Sequence, residues 1–329
     1  MYPFSKQLIE YQSDNQNNKL GMLILDVKGN YYKKIIDFCK SCNRLDDLIT
    51  IDLSGKYKYN PLHKPDLSAS VLANRLKTIL LLFSENNSDS FWLDKVEQIL
   101  EQALKLCRLY NNGYVTFLEI HKLITTPTYY KEKIGLLRNL FIENKLSNSD
   151  IYNLLSSIEF FENEFTNLDH RTFAILCSEV TRITNCFISD YSVVNTFSAN
   201  ESELNFNGFS SVVNNGKIVV LNLNISTYRN LSKIIAAYLK LDFQTEVMDR
   251  LAKCSDNNFR PVCFISDEYH EYVNISDASF FSQSREAKCI NIVSTQSYTS
   301  ILNTLHDESA TKVIIQNLVN KFWFRTDDI

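Results

Sequence analysis

The stretch of sequence that decides the fold is Arg260-Pro261-Val262-Cys263-Phe264-Ile265-Ser266-Asp267-Glu268. Its uninterrupted apolar run predicts a short strand buried on both faces, as in a parallel sheet. Two adjacent carboxylates follow the run, and ligands of open α/β sheets bind outside the carboxyl ends of strands. An aspartate there can hold the Mg²⁺ of a nucleotide, and the neighbouring glutamate can activate the attacking water. Because an apolar strand that ends in two acids is common, the pair alone is a weak motif.

The next apolar run ends in the same way. It reads Asn291-Ile-Val-Ser-Thr-Gln296-Ser297, and an amide or hydroxyl beside an acidic strand can sense the γ-phosphate. A glutamine in an ordinary turn is the alternative. Arg285 lies between the two strands, where it could reach a neighbour's γ-phosphate as an arginine finger, or be a solvated surface charge.

A third candidate lies near the N-terminus. The run Leu23-Ile-Leu-Asp26-Val-Lys28-Gly29 predicts a strand that leads into a glycine turn. The turn could place Lys28 near phosphates, or it could be a connection whose charges face water.

Apolar runs organise the rest of the chain as an α/β protein. Six of them predict strands, at residues 22–26, 48–53, 217–223, 262–266, 289–294 and 322–325. Helix-length segments separate the last four, which is the βαβ alternation of a doubly wound domain; the longest, 226–254, is expected to break near Asp242. Between 61 and 195 apolar residues recur every three or four positions, which predicts an inserted all-helical domain. The expected parts are therefore 1–60, 61–195 and 196–329.

Composition excludes some classes of protein. A hydrophobic share of 45% with 21 Phe and 17 Tyr excludes a disordered chain. A net charge of −4 is not the bulk basic footprint of a non-specific DNA binder, although a ring-shaped motor can hold DNA on a few pore residues. No apolar stretch approaches the ~18 residues of a membrane span. Cys39-x-x-Cys42 has redox or zinc spacing without a partner motif nearby, so both cysteines are expected to be structural.

Together these segments resemble the TraG and TraD group of type IV coupling proteins, within the HerA and FtsK superfamily of P-loop motors. The resemblance covers nearly the whole chain. It rests on an ordered set of motifs: Leu25-Asp-Val-Lys-Gly29, Tyr59-Asn-Pro-Leu62, Phe91-Trp92, Gly216-Lys-Ile-Val-Val220, Asp267-Glu268, Ser284-Arg-Glu-Ala-Lys288, Thr295-Gln-Ser297 and Lys321-Phe-Trp-Phe-Arg-Thr326.

The resemblance implies a RecA-like motor domain with an all-α insertion, assembled as a homo-hexameric ring on the cytoplasmic face of the bacterial inner membrane. Such motors use ATP and Mg²⁺ to feed single-stranded DNA bound to its relaxase, or effector proteins, into a type IV secretion channel. Any membrane contact would be made by segments outside this chain. In that scheme Asp267 holds Mg²⁺, Glu268 is the catalytic base, Gln296 is the sensor and Arg285 is the finger acting in trans. The resemblance also implies that Asp26 and Lys28 contribute to nucleotide binding.

Two features depart from the family. The sequence contains no G-x-x-x-x-G-K-[ST], the Walker A loop that in the family precedes the helix leading to Tyr2-Pro3-Phe4. We therefore expect an incomplete motor domain that starts just past this loop and is inactive by itself. The chain also stops at Arg325-Thr-Asp-Asp328, where the family continues, and Asn30 stands where the family often has Glu.

Two other functions remain open. One is a different DNA translocase of the HerA and FtsK superfamily, although those usually lack a long helical insertion. The other is a catalytically inactive remnant or assembly subunit of the secretion machinery. An inactive remnant would be expected to lose its catalytic residues. The chain still has all four candidates: Asp267, Glu268, Arg285 and Gln296.

Overall fold

The structure is a computed structural model that describes residues 1–26, 28–83, 90–253 and 259–324. The chain divides into two compact units, Met1–Tyr57 with Phe206–Ile329, and Lys58–Asn205. The second unit thus begins at 58 and ends at 205, where the apolar periodicity placed an insertion at 61–195. Backbone pairing sets the wider bounds, because Asn205 N donates to the Lys58 carbonyl at 3.3 Å and Tyr59 N to the Thr196 carbonyl at 2.8 Å. Such pairing leaves no periodic trace in the sequence.

A parallel sheet forms the centre of the first unit. Its strands are β1 (Gly21–Leu25), β2 (Leu48–Ile51), β3 (Ile218–Leu221), β4 (Val262–Ser266) and β5 (Cys289–Val293), in the order β2-β3-β1-β4-β5. Every neighbouring pair is parallel. The sequence predicted all five. Strands β1, β3 and β4 are buried along their full length, whereas β5 at the edge is only partly covered and its Ile290 is 40% exposed.

The predicted sixth strand at 322–325 is wrong for the residues that the structure describes. Phe322, Trp323 and Phe324 have no regular secondary structure, and their side chains are largely exposed; Arg325 lies outside the described residues. Apolar and aromatic composition favours a strand only where a neighbouring strand offers its backbone groups. The described sheet ends at β5, and this segment does not pair with it.

Helices occupy both units. In chain order they are α1 (Tyr2–Glu10), α2 (Tyr31–Ser41), α3 (Ala69–Leu81), α4 (Ser90–Tyr110), α5 (Phe117–Thr125), α6 (Pro127–Ile142), α7 (Asn148–Ile158), α8 (His170–Ile188), α9 (Tyr191–Phe197), α10 (Ser210–Asn215), α11 (Ile225–Lys253), α12 (Ser276–Gln283), α13 (Tyr298–Leu305) and α14 (Glu308–Asn317). Helices α3 to α9 form the second unit. No helix within the described ranges is long and apolar enough to cross a bilayer.

Local capping explains where several helices of the insertion begin. Ser147 and Asp150 form a capping box at the start of α7, and Asp169 accepts from the backbone N–H groups of Arg171 and Thr172 at the start of α8. Such caps satisfy amides that have no partner within the helix. The core of this unit includes a stacked pair, Phe117 and Phe187, with ring centroids 3.8 Å apart.

The break in α11 lies at Arg229 and not near Asp242 as the sequence suggested. Arg229 has φ 42° and ψ −119°, which is not helical. The helix begins after Asn224, whose Oδ1 accepts from Ser226 N at 2.7 Å. Asp242, where the break was expected, is instead buried within the helical stretch that follows Arg229.

Cys39 and Cys42 lie at the C-terminal end of α2. Cys39 is fully buried in the core where α1 and α2 cover the sheet, and burial raises the pKa of its thiol to about 12. A thiol that stays protonated is a poor nucleophile and metal ligand.

Candidate functional site

The turn after β1 is organised by Asp26, which is completely buried. One carboxylate oxygen, Oδ1, accepts from Lys28 N at 2.8 Å. The other, Oδ2, accepts from Asn30 N at 3.0 Å and Tyr31 N at 2.7 Å. Burial raises the pKa of Asp26, and these backbone hydrogen bonds oppose that effect. Its oxygens therefore hold the turn together and accept from the first backbone N–H of α2.

The same turn is packed tightly against the segment that follows β3. Gly29 has φ +72°, and a Cβ there would lie 2.9 Å from Asn224 Cβ, so glycine is required on both counts. The Asn224 side chain donates to the Lys28 carbonyl at 2.7 Å. These contacts fix the backbone from which the Lys28 side chain projects.

Glu268 lies at the centre of the cluster, directly after β4. Its Oε1 forms an ion pair with Lys28 Nζ, whose side chain is 55% exposed while that of Glu268 is 11% exposed. Its Oε2 accepts from Gln296 Nε2 at 3.2 Å and lies 3.7 Å from His270 Nδ1. Burial by itself would raise the pKa of Glu268, but the hydrogen bond and charge of Lys28 outweigh it and the pKa is lowered. The carboxylate is thus ionised at neutral pH.

Asp267 is partly exposed beside this cluster. Its Oδ1 accepts from the Ser294 hydroxyl at the end of β5, and its backbone N donates to the Leu25 carbonyl of β1 at 3.0 Å. Carboxylate and hydroxyl oxygens suit Mg²⁺, which is usually held by one or two carboxylates together with substrate phosphates and water. Across the described residues, no group of three or more His, Cys, Asp and Glu could hold a metal. The Asp267 carboxylate and the Ser294 hydroxyl therefore suit a magnesium ion whose other ligands would be phosphate oxygens and water.

Arg285 does not join the cluster of its own chain. It is exposed in the turn between α12 and β5, whereas Gln296 follows the other end of β5. Five residues of strand separate the two ends, which is on the order of 16 Å. The structure therefore brings five candidate residues to the carboxyl ends of the strands: Asp26, Lys28, Asp267, Glu268 and Gln296. Arg285 lies at the amino end of β5.

Three residues that contact the cluster are not among the predicted site residues. Ser294 stands inside the quoted strand-end motif and could have been found there as a second oxygen donor. His270 lies two residues after Glu268, a spacing that carries no known signal by itself. Asn224 could not have been found, because it meets the Lys28 turn across 196 residues of sequence.

Comparison with known proteins shows which fold this chain shares. No protein-family model matches the chain. Among solved structures it is similar to the plasmid coupling protein TrwB in complex with ADP and Mg²⁺, with a TM-score of 0.60, 12% identity, and coverage of 91% of this chain and 62% of that chain. It is also similar to TrwB in complex with the ATP analogue ADPNP, with a TM-score of 0.57 and 12% identity over the same shares.

This chain has the fold of a conjugative coupling protein. The unbound monoclinic form of TrwB gives a TM-score of 0.56 at 9% identity, covering 96% of this chain and 73% of that one. The predicted α/β, RecA-like class is therefore confirmed. At these identities the similarity concerns the fold alone, and the chain spans 62% of the length of the first two TrwB structures.

Proposed function

We propose that this chain is part of an ATP-driven motor that couples a substrate to a type IV secretion channel, as in conjugation. The observation that carries the proposal is the meeting of Lys28, Glu268 and Gln296 beside Asp267 and Ser294, at the carboxyl edge of a sheet with the coupling-protein fold. This is the edge at which open α/β sheets bind ligands. The nucleotides bound by TrwB make ATP with Mg²⁺ the ligand to expect.

The proposal includes the surroundings that the sequence resemblance implies. The cargo would be single-stranded DNA with its relaxase, delivered to the components of the secretion channel. The working unit would be a homo-hexamer at the cytoplasmic face of the bacterial inner membrane. Contact with the membrane would be made by polypeptide beyond this chain.

The residues present suit attack of water on the γ-phosphate of ATP, which breaks the phosphoanhydride bond to the β-phosphate and releases ADP and phosphate. Mg²⁺, held by Asp267 with Ser294, would neutralise phosphate charge. Glu268 is ionised and can accept a proton from the attacking water. Gln296 already hydrogen-bonds Glu268, so its amide can orient that water on the same carboxylate. Lys28 neutralises Glu268, and its exposed side chain is long enough to turn toward a phosphate instead.

A second function is supported by one observation. The sequence contains no G-x-x-x-x-G-K-[ST] and only 7 Gly in all, and that loop supplies the backbone N–H groups and lysine that cradle phosphates. A chain that keeps the fold without this loop could serve as a non-hydrolysing assembly subunit. A loop-bearing form of the protein separates the two functions, because only the motor would then hydrolyse ATP through Glu268.

The chain of 329 residues should therefore show no Mg²⁺-dependent ATP hydrolysis by itself. Without the phosphate cradle, Glu268 has no correctly placed γ-phosphate to act on. The measurement is phosphate release by the purified chain beside a Glu268→Gln control prepared in the same way. Equal, background-level rates are expected, whereas turnover that Glu268→Gln abolishes would contradict the dependence on the loop.

A further inference from the structure

A buried charge pair lies beneath the turn that carries Glu268. It joins Lys240 of α11 to Asp277 of α12, and both side chains are 0% exposed. Burial lowers the pKa of Lys240, and the charge of Asp277 opposes that effect. Desolvating two charges is unfavourable, and a well-packed apolar pair often stabilises a protein as much or more. Stability alone is therefore a weak reason for this pair.

The carboxylate of Asp277 is saturated with donors. Its Oδ2 accepts from Lys240 Nζ, from Tyr269 OH at 2.6 Å and from Asn274 N at 3.1 Å, and its Oδ1 accepts from Gln244 Nε2 at 2.7 Å. Four donors on one buried carboxylate restrict the groups around it to one arrangement. Asp277 thus holds α11, α12 and the intervening turn in a single geometry.

Two tyrosines connect this network to the acidic pair. Tyr269 follows Glu268 directly; its OH donates to Asp277, and its backbone N donates to the Ser294 carbonyl at 2.8 Å. Tyr272 donates its OH to the Asp267 carbonyl at 2.7 Å, and its own carbonyl accepts from Lys240 Nζ at 2.7 Å. Each tyrosine therefore hydrogen-bonds one member of the charge pair and also a residue of the candidate site.

The backbone at Glu268 requires such support. Its φ of 48° and ψ of 48° are left-handed, a conformation that is unfavourable for a residue with a side chain and persists where its surroundings impose it. Released from that conformation, the turn would direct the Glu268 carboxylate away from Lys28 and Gln296.

We propose that the Lys240–Asp277 pair is a positioning element for Glu268, acting through Tyr269 and Tyr272 to hold its carboxylate against Lys28 and Gln296. Neither member of the pair contacts those two residues. The consequence for ATP hydrolysis rests on the proposed function. The positioning itself does not, and it can be measured without nucleotide.

The test is the pKa of the Glu268 side chain. It is measured by NMR titration of protein in which the glutamate residues are labelled with ¹³C. Assignment uses the resonance that Glu268→Gln removes. Tyr269→Phe deletes only the hydroxyl that reaches Asp277, and a Lys28→Met chain gives the pKa of Glu268 without its ion pair. In Tyr269→Phe the pKa should rise at least half of the way from the wild-type value to the Lys28→Met value. His270, which also faces Glu268, is unchanged in all of these chains.

Tyr130→Phe is the matched control. It deletes the hydroxyl of another buried tyrosine, which lies 2.8 Å from Thr166 Oγ1 in the second unit, so it removes a comparable hydrogen bond without touching the proposed path. Its Glu268 pKa should equal that of the wild type. A change in stability alone would lower the melting temperature of both variants and leave both pKa values in place.

A folded Tyr269→Phe chain with the wild-type Glu268 pKa would overturn the proposal. If Tyr269→Phe does not fold, Tyr272→Phe, which deletes the second connection, is used in its place. The Glu268 pKa should rise by the same amount in that variant. A wild-type pKa in Tyr272→Phe would then overturn it equally. Because no nucleotide is present, these results stand whether or not the protein hydrolyses ATP.

Discussion

Arg285→Ala is expected to lower ATP turnover by about 10³ to 10⁵-fold in rings of a longer form of the protein that carries the phosphate-binding loop. An arginine finger neutralises charge that develops on the phosphoryl group during transfer. Arg285 is exposed at the edge of the sheet opposite Glu268, so it is badly placed for its own site and free to reach an adjoining subunit. Nucleotide binding and folding should remain near normal. Lys288→Ala, an exposed cation in the same turn, should keep wild-type turnover.

Mixed rings test whether Arg285 acts in trans. Arg285→Ala chains retain Glu268, and Glu268→Gln chains retain Arg285, so neighbours of complementary defect should recover part of the turnover. Phosphate release is measured across mixing ratios, with co-assembly checked by size. If co-assembled rings stay inactive, or if Arg285→Ala alone keeps full turnover, Arg285 is a solvated surface charge.

Breaking the buried pair should have the largest effect on stability. Asp277→Ala is expected to lower the free energy of unfolding by about 5 kcal/mol and Lys240→Met by about 3 kcal/mol, since removal of one partner leaves the other charge buried without compensation. The aspartate should cost more because it accepts from four donors. Urea denaturation gives these values from the shift in midpoint at constant slope.

The double variant and a surface control make this result specific. Lys240→Met with Asp277→Ala should be less destabilising than the sum of the two single changes, because no lone buried charge remains. Lys312→Met breaks an exposed pair with Glu308 and should leave the midpoint unchanged. Additive effects of the two buried changes would show that Lys240 and Asp277 are not coupled.

Strands could be predicted from the sequence because a fully buried strand needs an unbroken apolar run. Five apolar runs became β1 to β5, of which β1, β3 and β4 are buried along their full length. The sixth, Phe322–Phe324, shows the limit of that inference, since strand formation also depends on a neighbouring strand that local composition does not reveal. The break in α11 shows another limit. It lies at Arg229, whose positive φ is not revealed by the apolar pattern of residues 226–254.

The site was predictable to the extent that strand ends carry chemistry. Parallel strands bring their carboxyl ends to one edge, so Asp26, Asp267 and Gln296 were predictable at the same edge. That they are neighbours follows from the order β1-β4-β5, which the sequence does not reveal. What each side chain does there was not predictable. The sequence did not show that the Asp26 oxygens accept from three backbone N–H groups. The charge pair beneath Glu268 joins residues 37 apart in sequence, and neither belongs to any motif.

The most direct test of the account is the ATP turnover of a loop-bearing form of the protein, with and without Glu268→Gln. We predict Mg²⁺-dependent hydrolysis that Glu268→Gln slows by about 10² to 10⁴-fold, the contribution of a general base, while nucleotide affinity stays close to that of the unsubstituted protein. Hydrolysis that is unaffected by Glu268→Gln, or a folded, nucleotide-binding protein that never hydrolyses ATP, would contradict the assignment of this cluster as the motor's catalytic site.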